Sequence, residues 1–509
     1  MKLFKFLLSV FVFSTSFSLA QVVNQKPNII FFLVDDMGWQ DTSVPFWDKR
    51  TPSNAKFHTP NMERLAASGV KFTQAYANSI CTPSRVSLLS GTNIARHKVT
   101  NWTMYKDQST DSKNDSVLVA PEWNVNGLSP VQGTAYALYA TPLPQLLKDN
   151  GYYTIQCGKA HFGAYQTPGA DPLNLGFEKN IGGSSAGNPS SFLSEQNYGN
   201  TTGKFNLRAV PGLQKYWGTG IFLTEALTIE AMLAMDTARM MKKPFFLYMS
   251  QFAVHLPFDA DKRFIDRYVK MGLTKPEAAY ATLVEGMDKS LGDLMNYLEK
   301  NDLSKHTIIV FMSDNGGFTR APRMGELDTQ NAPLRAGKGS LYEGGIREPM
   351  MISWPGVVKP NTINHQYVGI EDFFPTILEM AGLKRFKTVQ KIDGESMVPF
   401  LKGKTDPKKV LIWNFPNKWA AGEDDRVVSW MSAVRQGDWK LIYFQKLGKL
   451  ELYNLREDIS EQHDLANLYP EKVRALAGLL SQKLKERNGQ LPLYKQTGKP
   501  VPYPDELAK

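Results

Sequence analysis

Ile29-Ile30-Phe31-Phe32-Leu33-Val34-Asp35-Asp36 sets six consecutive apolar residues against two carboxylates. A run this short, apolar at every position, reads as a strand buried on both faces, as in a parallel sheet. Similar runs follow at Tyr152 to Gln156, Phe245 to Met249, Thr307 to Met312 and Met350 to Trp354. Between them, Asn61 to Ser68, Phe222 to Met241, Pro276 to Leu298 and Gly369 to Met380 repeat apolar residues at helical spacings. Strands alternating with helices predict an α/β fold: a large mixed, mostly parallel sheet flanked by helices.

In such sheets ligands sit outside the carboxyl ends of the strands. Three runs end in conspicuous polar groups: Asp35-Asp36, Ser313-Asp314-Asn315-Gly316-Gly317, and the segment leading into His255. The sheet reading brings them to one edge. Beyond about residue 404 the pattern changes to shorter strands, Val428 to Arg435, Trp439 to Phe444 and Leu450 to Leu455, then one amphipathic helix from Pro470 to Arg487. The expected division is a signal segment over 1–20, a catalytic domain over 21–404, and over 405–509 a smaller subdomain with an antiparallel sheet and a helix.

The first twenty residues carry Lys2 and Lys5, an apolar stretch from Phe6 to Phe13, and a small-residue close at Ser18-Leu19-Ala20, so export with cleavage before Gln21 is expected. No later stretch reaches the roughly 20 apolar residues that span a bilayer, so no membrane span is expected. The protein is therefore read as secreted through the inner membrane of a bacterium, into the periplasm or beyond. The net charge of +10 is spread along the chain with no basic arm, so no nucleic-acid partner is expected; it reads as general surface basicity or as steering of anionic substrates. Export favours disulfides, yet only Cys81 and Cys157 exist.

Cys81 opens Cys81-Thr82-Pro83-Ser84-Arg85, and Gly91 follows six residues later. Pro83 suits a first helical turn and Gly91 its end, which places Cys81 at a helix N-terminus, where free N–H groups favour negative charge. Taken alone, the cysteine could equally be a small buried residue. Likewise, Asp after a strand often caps a loop, and Asp-Asn-Gly-Gly is an effective turn.

Five motifs in order settle on one family. Asp35-Asp36-Met37-Gly38, Cys81 to Arg85, Gly158-Lys159-Ala160-His161, Ser313 to Gly316, and Gly337-Lys338-Gly339-Ser340 with Glu343-Gly344-Gly345 together resemble the type I, formylglycine-dependent sulfatases of the alkaline phosphatase superfamily. The likeness runs from Asn28 to Asp438-Trp439-Lys440-Leu441 and Leu452-Tyr453-Asn454-Leu455, and its style is that of bacterial polysaccharide sulfatases.

The resemblance implies that a formylglycine-generating maturation enzyme converts Cys81, and that Asp35, Asp36, Asp314 and Asn315 hold one calcium ion together with residue 81. Hard oxygen donors are what calcium requires. It implies that Arg85, Lys159 and Lys338 stabilise charge on the sulfate, that His255, alone or with Lys338, protonates the leaving alcohol, and that His161 takes the proton when sulfate is expelled. A further sulfate contact is expected in the loop Gly182 to Ser191, read as a surface loop that could line the cleft, with Ser184, Ser185 and Asn188 as candidates. His97 is read as a support of the cleft.

Specificity is expected from loops near 100–130, 182–220 and 318–335, and from Trp413 to Trp419, whose aromatic rings could stack on a sugar or pack the domain interface. The expected substrate is a sulfated glycan, with galactose or N-acetylgalactosamine sulfate favoured. The competing readings are a phosphonate or phosphate monoester hydrolase of the same superfamily, and an inactive sulfated-glycan binder. Asn315 beside Asp314, where a two-zinc enzyme would want histidine, speaks for one hard cation.

Overall fold

The computed structural model describes residues 26–318, 331–419 and 429–508. The signal-like segment 1–20, most of the 318–335 loop and Val428 lie outside these. The main sheet has nine strands among the described residues: β1 (Asn28–Val34), β2 (Val70–Tyr76), β3 (Tyr153–Gly158), β4 (Lys179–Ile181), β5 (Phe245–Ser250), β6 (Thr307–Ser313), β7 (Arg347–Ser353), β8 (Thr362–Asn364) and β9 (Val368–Gly369). Their order is β8-β2-β7-β6-β1-β5-β3-β4, with β9 beside β2. Only β7 runs against its neighbours β6 and β2; every other described pair in this sheet is parallel.

Strand β1 is continuous in apolar residues because it feeds two cores. Ile30, Phe32 and Val34 face one, with Leu65 of α1 (Pro60–Ser68), Met235 of α3 (Leu223–Met240) and Leu291 of α4 (Lys275–Lys300). Ile29, Phe31 and Leu33 face the other, with Leu88 of α2 (Cys81–Ser90) and Phe373 of α5 (Phe373–Met380). Period-two alternation thus sorts one strand into two layers of helices. Helix α4 starts on a capping box between Thr274 and Glu277. Helix α1 has no side-chain bond from its own cap residue Thr59; Asp288, inside α4, accepts from Asn61 N at 3.1 Å and Met62 N at 2.7 Å instead.

Three differences from the sequence reading have physical causes. Strand β2 goes unrecognised because Lys71, Thr73 and Gln74 interrupt its apolar positions, and neighbouring strands supply the pairing. Strand β7 begins at Arg347 rather than Met350, since the charged Arg347 and Glu348 pair with Tyr76 and Ala75. The helix expected from Gly369 begins at Phe373, after β9 and one tight turn.

Among the described residues the C-terminal sheet has four strands rather than three: β10 (Val410–Phe415), β11 (Met431–Gln436), β12 (Trp439–Phe444) and β13 (Lys449–Asn454), antiparallel in chain order. On one face Val434, Leu441 and Leu452 pack against Leu476, Leu480 and Leu484 of α6 (Pro470–Glu486); each leucine so buried contributes about 1.5–3 kcal/mol. On the other face Ala433, Ile442 and Tyr453 meet Tyr76, Tyr342 and Ile346. A wholly buried Lys440 ties this face down, 2.9 Å from both Glu343 and Glu461. Trp413 serves the same interface, packed on Tyr76 and donating Nε1 to Ala77 O at 2.8 Å. No helix among the described residues is long and apolar enough to cross a membrane.

Candidate active site

The parallel register of β1 and β6 pairs Val34 with Ser313. The next residues, Asp35 and Asp314, therefore leave the sheet side by side. Asp36 turns back in the left-handed region at φ 62°, which Asp tolerates better than most residues, and its N–H lies 3.3 Å from Asp314 Oδ1.

Cys81 arrives from across the site as the first residue of α2, every residue of which is buried. The helix ends where expected, at Gly91 with φ 67°, and a Cβ there would lie 2.9 Å from the Phe374 side chain. Cys81 Sγ stands 3.7 Å from Asp35 Oδ1. Burial pushes this thiol up to about 12, outweighing Lys159 and Lys338.

Each carboxylate has its own cation. Lys159 Nζ is 2.8 Å from both oxygens of Asp35. Lys338 Nζ is 2.6 Å from Asp36 Oδ1. Arg85 holds Asp314 Oδ2 from Nε at 2.9 Å and Nη2 at 2.8 Å, and donates from Nη1 to Lys159 O and Ser250 Oγ. Burial pushes Asp35 up to about 7 despite Lys159, with Asp314 and Asp36 adding to the rise. Burial would raise Asp36 too, but Lys338, His255 and Lys159 outweigh it and hold that carboxyl well below the usual range.

Asp35, Asp36, Cys81 and Asp314 offer ligand atoms within 4.8 Å of one another. Asn315 donates Nδ2 to Asp36 Oδ1 at 2.8 Å, while its Oδ1 is buried without a hydrogen-bond partner among the described residues. An orphaned carbonyl oxygen beside three carboxylates is a mismatch that a hard divalent cation removes, so the residues present fit such an ion.

A cavity opens above this cluster, with Asp36, Cys81 and Lys338 exposed to it, His161, His255, Ser185 and Asn188 on its walls, and Trp102, Met104, Phe318 and Trp419 among its apolar lining. Arg85 and Lys159 stand behind the carboxylates, both wholly buried, and do not line it. His161 Nε2 lies 2.9 Å from Thr103 O, which can only accept, so this nitrogen carries the hydrogen and Nδ1 is left as acceptor. Burial, with Lys159 adding, holds His161 well below its ordinary value and therefore neutral. His255 Nδ1 donates to Leu256 O at 3.0 Å, leaving Nε2, 3.5 Å from Asp36 Oδ2, toward the cavity side of the cluster.

The loop from Gly182 to Ser191 lines the cavity through Ser185, Ala186, Gly187 and Asn188, and is more buried there than a surface loop would be: Ser185 is 2% exposed and Asn188 9%. It must be glycine-rich because a Cβ on Gly187 would come within 2.8 Å of the His161 ring. Ser184 is engaged by its backbone, accepting from His161 N, and by Ala186 N on its hydroxyl, and it does not line the cavity. His97 is buried between Ser87 Oγ and Val99 N, and burial lowers it to about 3, which suits a structural support.

The sequence reading missed Ser250, Thr82 and Thr103. Ser250 ends β5 and could have been found by the same strand-end rule that picked Asp35. Thr82 and Thr103 meet His161 only in the folded chain, and no local pattern marks them.

A strand-end carboxylate cluster facing a buried helix-terminal cysteine, on a sheet of this order, places the molecule with the esterases of the alkaline phosphatase superfamily. More narrowly, the chain belongs to the sulfatase family, whose model matches residues 27–383, and it is a sulfuric ester hydrolase. A second model, N-sulphoglucosamine sulphohydrolase C-terminal, matches residues 337–490. The chain is 30% identical to a sulfatase of Formosa agariphila, covering 95% of this chain and 93% of that one. It is 32% identical to the N-acetylgalactosamine-6-sulfatase of Mus musculus, over 78% of this chain and 70% of the relative. Among solved structures it is similar to Ps i-CgsB in complex with k-i-k-neocarrahexaose, at 26% identity and TM-score 0.70, covering 95% and 97% of the two chains.

Proposed function

We propose that this sulfatase hydrolyses a sulfate ester on a carbohydrate, an O-sulfated galactose or N-acetylgalactosamine unit of a glycan, using Cys81 matured to formylglycine and one calcium ion. The single observation that carries the mechanism is the convergence of Asp35, Asp36 and Asp314 on Cys81 beside the unpartnered Asn315 Oδ1. The relatives named above, one an N-acetylgalactosamine-6-sulfatase and one holding an oligosaccharide, support the sugar class.

Asp35, Asp36, Asp314 and Asn315 would hold the calcium. Formylglycine at position 81, once water has added to its aldehyde, would supply one hydroxyl for attack on sulfur and a second from which the aldehyde reforms, and calcium would supply Lewis-acid polarisation. Arg85 and Lys159 act from behind, fixing Asp314 and Asp35 in position. Lys338 reaches the cavity and places a fixed positive charge beside the sulfuryl oxygens. Lys338 and His255 flank Asp36, and His255 gives the leaving alcohol its proton from Nε2. His161, whose acceptor nitrogen Nδ1 lies 3.4 Å from Thr82 Oγ1, receives the proton that sulfate release requires. Ser185 and Asn188 wall the sulfate site. The apolar lining excludes water and faces the sugar.

In the cell the chain would be exported, through the segment 1–20, and matured by a formylglycine-generating enzyme. The test is peptide mass spectrometry across residue 81 on protein co-expressed with such an enzyme, followed by sulfate release from a panel of sulfated saccharides. Release that disappears in Cys81→Ala, with a formylglycine mass in the parent, is the expected result. Converted protein inert on every sulfated saccharide but active on phosphonate esters would overturn the reading.

A further inference from the structure

Three aromatic side chains on segments that wall the cavity have no part in the site described above. Tyr105 and Tyr165 meet edge-on with centroids 6.5 Å apart, and Tyr165 and Phe205 lie 5.0 Å apart. Phe205 is 68% exposed and Tyr105 36%. One exposed apolar residue is ordinary, but a row of rings contributed by three separate segments is a patch.

Each of those segments also builds the cavity wall. Tyr105 follows Met104, which lines the cavity and whose carbonyl accepts from Tyr165 N at 2.8 Å. Tyr165 continues the segment of His161, and Phe205 precedes Leu207 and Arg208, both cavity-lining. Arg208 is anchored to the inner loop, its carbonyl accepting from Ser190 N at 2.9 Å and its N–H donating to Asn206 Oδ1 at 3.1 Å. Its exposed guanidinium forms no ion pair with any described residue, whereas Arg85, Lys159 and Lys338 are each bound to a carboxylate. The segments that wall the cavity therefore also carry an exposed cation without an ion-pair partner and a cluster of aromatic rings.

We propose that Arg208 and the row Tyr105, Tyr165 and Phe205 form a distal subsite for a neighbouring sulfated sugar of the same glycan chain. The apolar C–H face of a pyranose stacks on aromatic rings, and a guanidinium fork pairs with a sulfate through two N–H donors. Continuity with the cavity selects the remainder of the substrate as occupant, and the free charge selects an anionic one. This rests on the glycan reading above and deepens it: the enzyme acts on oligosaccharides in preference to single sulfated sugars.

The test compares sulfate release from matched di- and hexasaccharides of sulfated galactan, chondroitin sulfate and heparin, with 4-nitrophenyl sulfate as the small ester. On the glycan that is hydrolysed, the hexasaccharide should exceed the disaccharide in kcat/KM by about tenfold, the size expected of a well-formed stacking and ion-pair contact. Phe205→Ala should bring that ratio close to one, mainly through KM, and Arg208→Gln should lower it and flatten its dependence on salt. Hydrolysis without length preference, or a ratio unmoved in both variants, overturns the subsite alone. Turnover of 4-nitrophenyl sulfate with none of any saccharide would instead sink the glycan reading, and the subsite with it. A dimer in solution that dissociates in Phe205→Ala would assign the patch to a second copy and overturn the proposal.

Discussion

Arg85 donates from Nε to Asp314 Oδ2 at 2.9 Å, with Nη2 2.8 Å from the same oxygen in ion-pair contact, and both side chains are wholly buried. The arginine of the pentapeptide thus reaches the reaction through a carboxylate. Arg85→Ala leaves that carboxylate buried and unpaired, a loss of about 3–5 kcal/mol in urea unfolding. It should also shrink the rise in Tm on adding calcium, because the misplaced Asp314 is a proposed ligand. An unchanged calcium response would separate Asp314 from the ion.

Before maturation, Cys81 should behave as an inert thiol. Its folded value near 12 lies above the ordinary one, so the reactive thiolate is depleted at pH 7–9. In EDTA, native unconverted protein should resist iodoacetamide at pH 8, while denatured protein takes two labels, at Cys81 and Cys157. Rapid native labelling of Cys81, read by mass spectrometry, would contradict this.

Lys440 stands between Glu343 and Glu461 with none of the three exposed. Lys440→Met removes the cation they share and should cost about 3–5 kcal/mol. Adding Glu461→Gln should recover part of the loss, since one uncompensated charge disappears with it. A double-mutant cycle by urea unfolding measures the coupling, and simple additivity would argue against it.

Asp288, which caps α1 from another helix, is pushed up to about 7 by burial, against the hydrogen bonds from Asn61 and Met62 that lower it. A carboxyl raised in the folded state contributes stability that is full below its unfolded value of 3.8 and is lost as pH rises through about 7. Asp288→Asn should therefore cost about 1 kcal/mol at pH 5 and less at pH 8, where the parent carries a buried charge. Tm differences at the two pH values check the sign; a penalty that grows with pH would reverse it.

Much of this was legible in the chain itself. The apolar run Ile29 to Val34 pointed to a central strand, because a run too short for a helix of its own and apolar at every position suits a strand buried on both faces. The groups at the strand ends, Asp35-Asp36 and Asp314-Asn315, and the helix opened by Cys81 and ended by Gly91 were equally plain, since strand ends and caps are local events. What only the tertiary structure decided depends on partners distant in sequence. It decided that β2 is a strand, through pairing with β7, and that Arg85 and Lys159 face carboxylates rather than the cavity. It also decided which part of the loop from Gly182 to Ser191 forms the wall, with Gly187 against the His161 ring and Ser185 and Asn188 buried. Local sequence sets backbone preference and apolar period, but the direction in which a long charged side chain points is set by the nearest buried opposite charge, and that charge lies more than a hundred residues away for Lys159 and Asp35, and for Arg85 and Asp314.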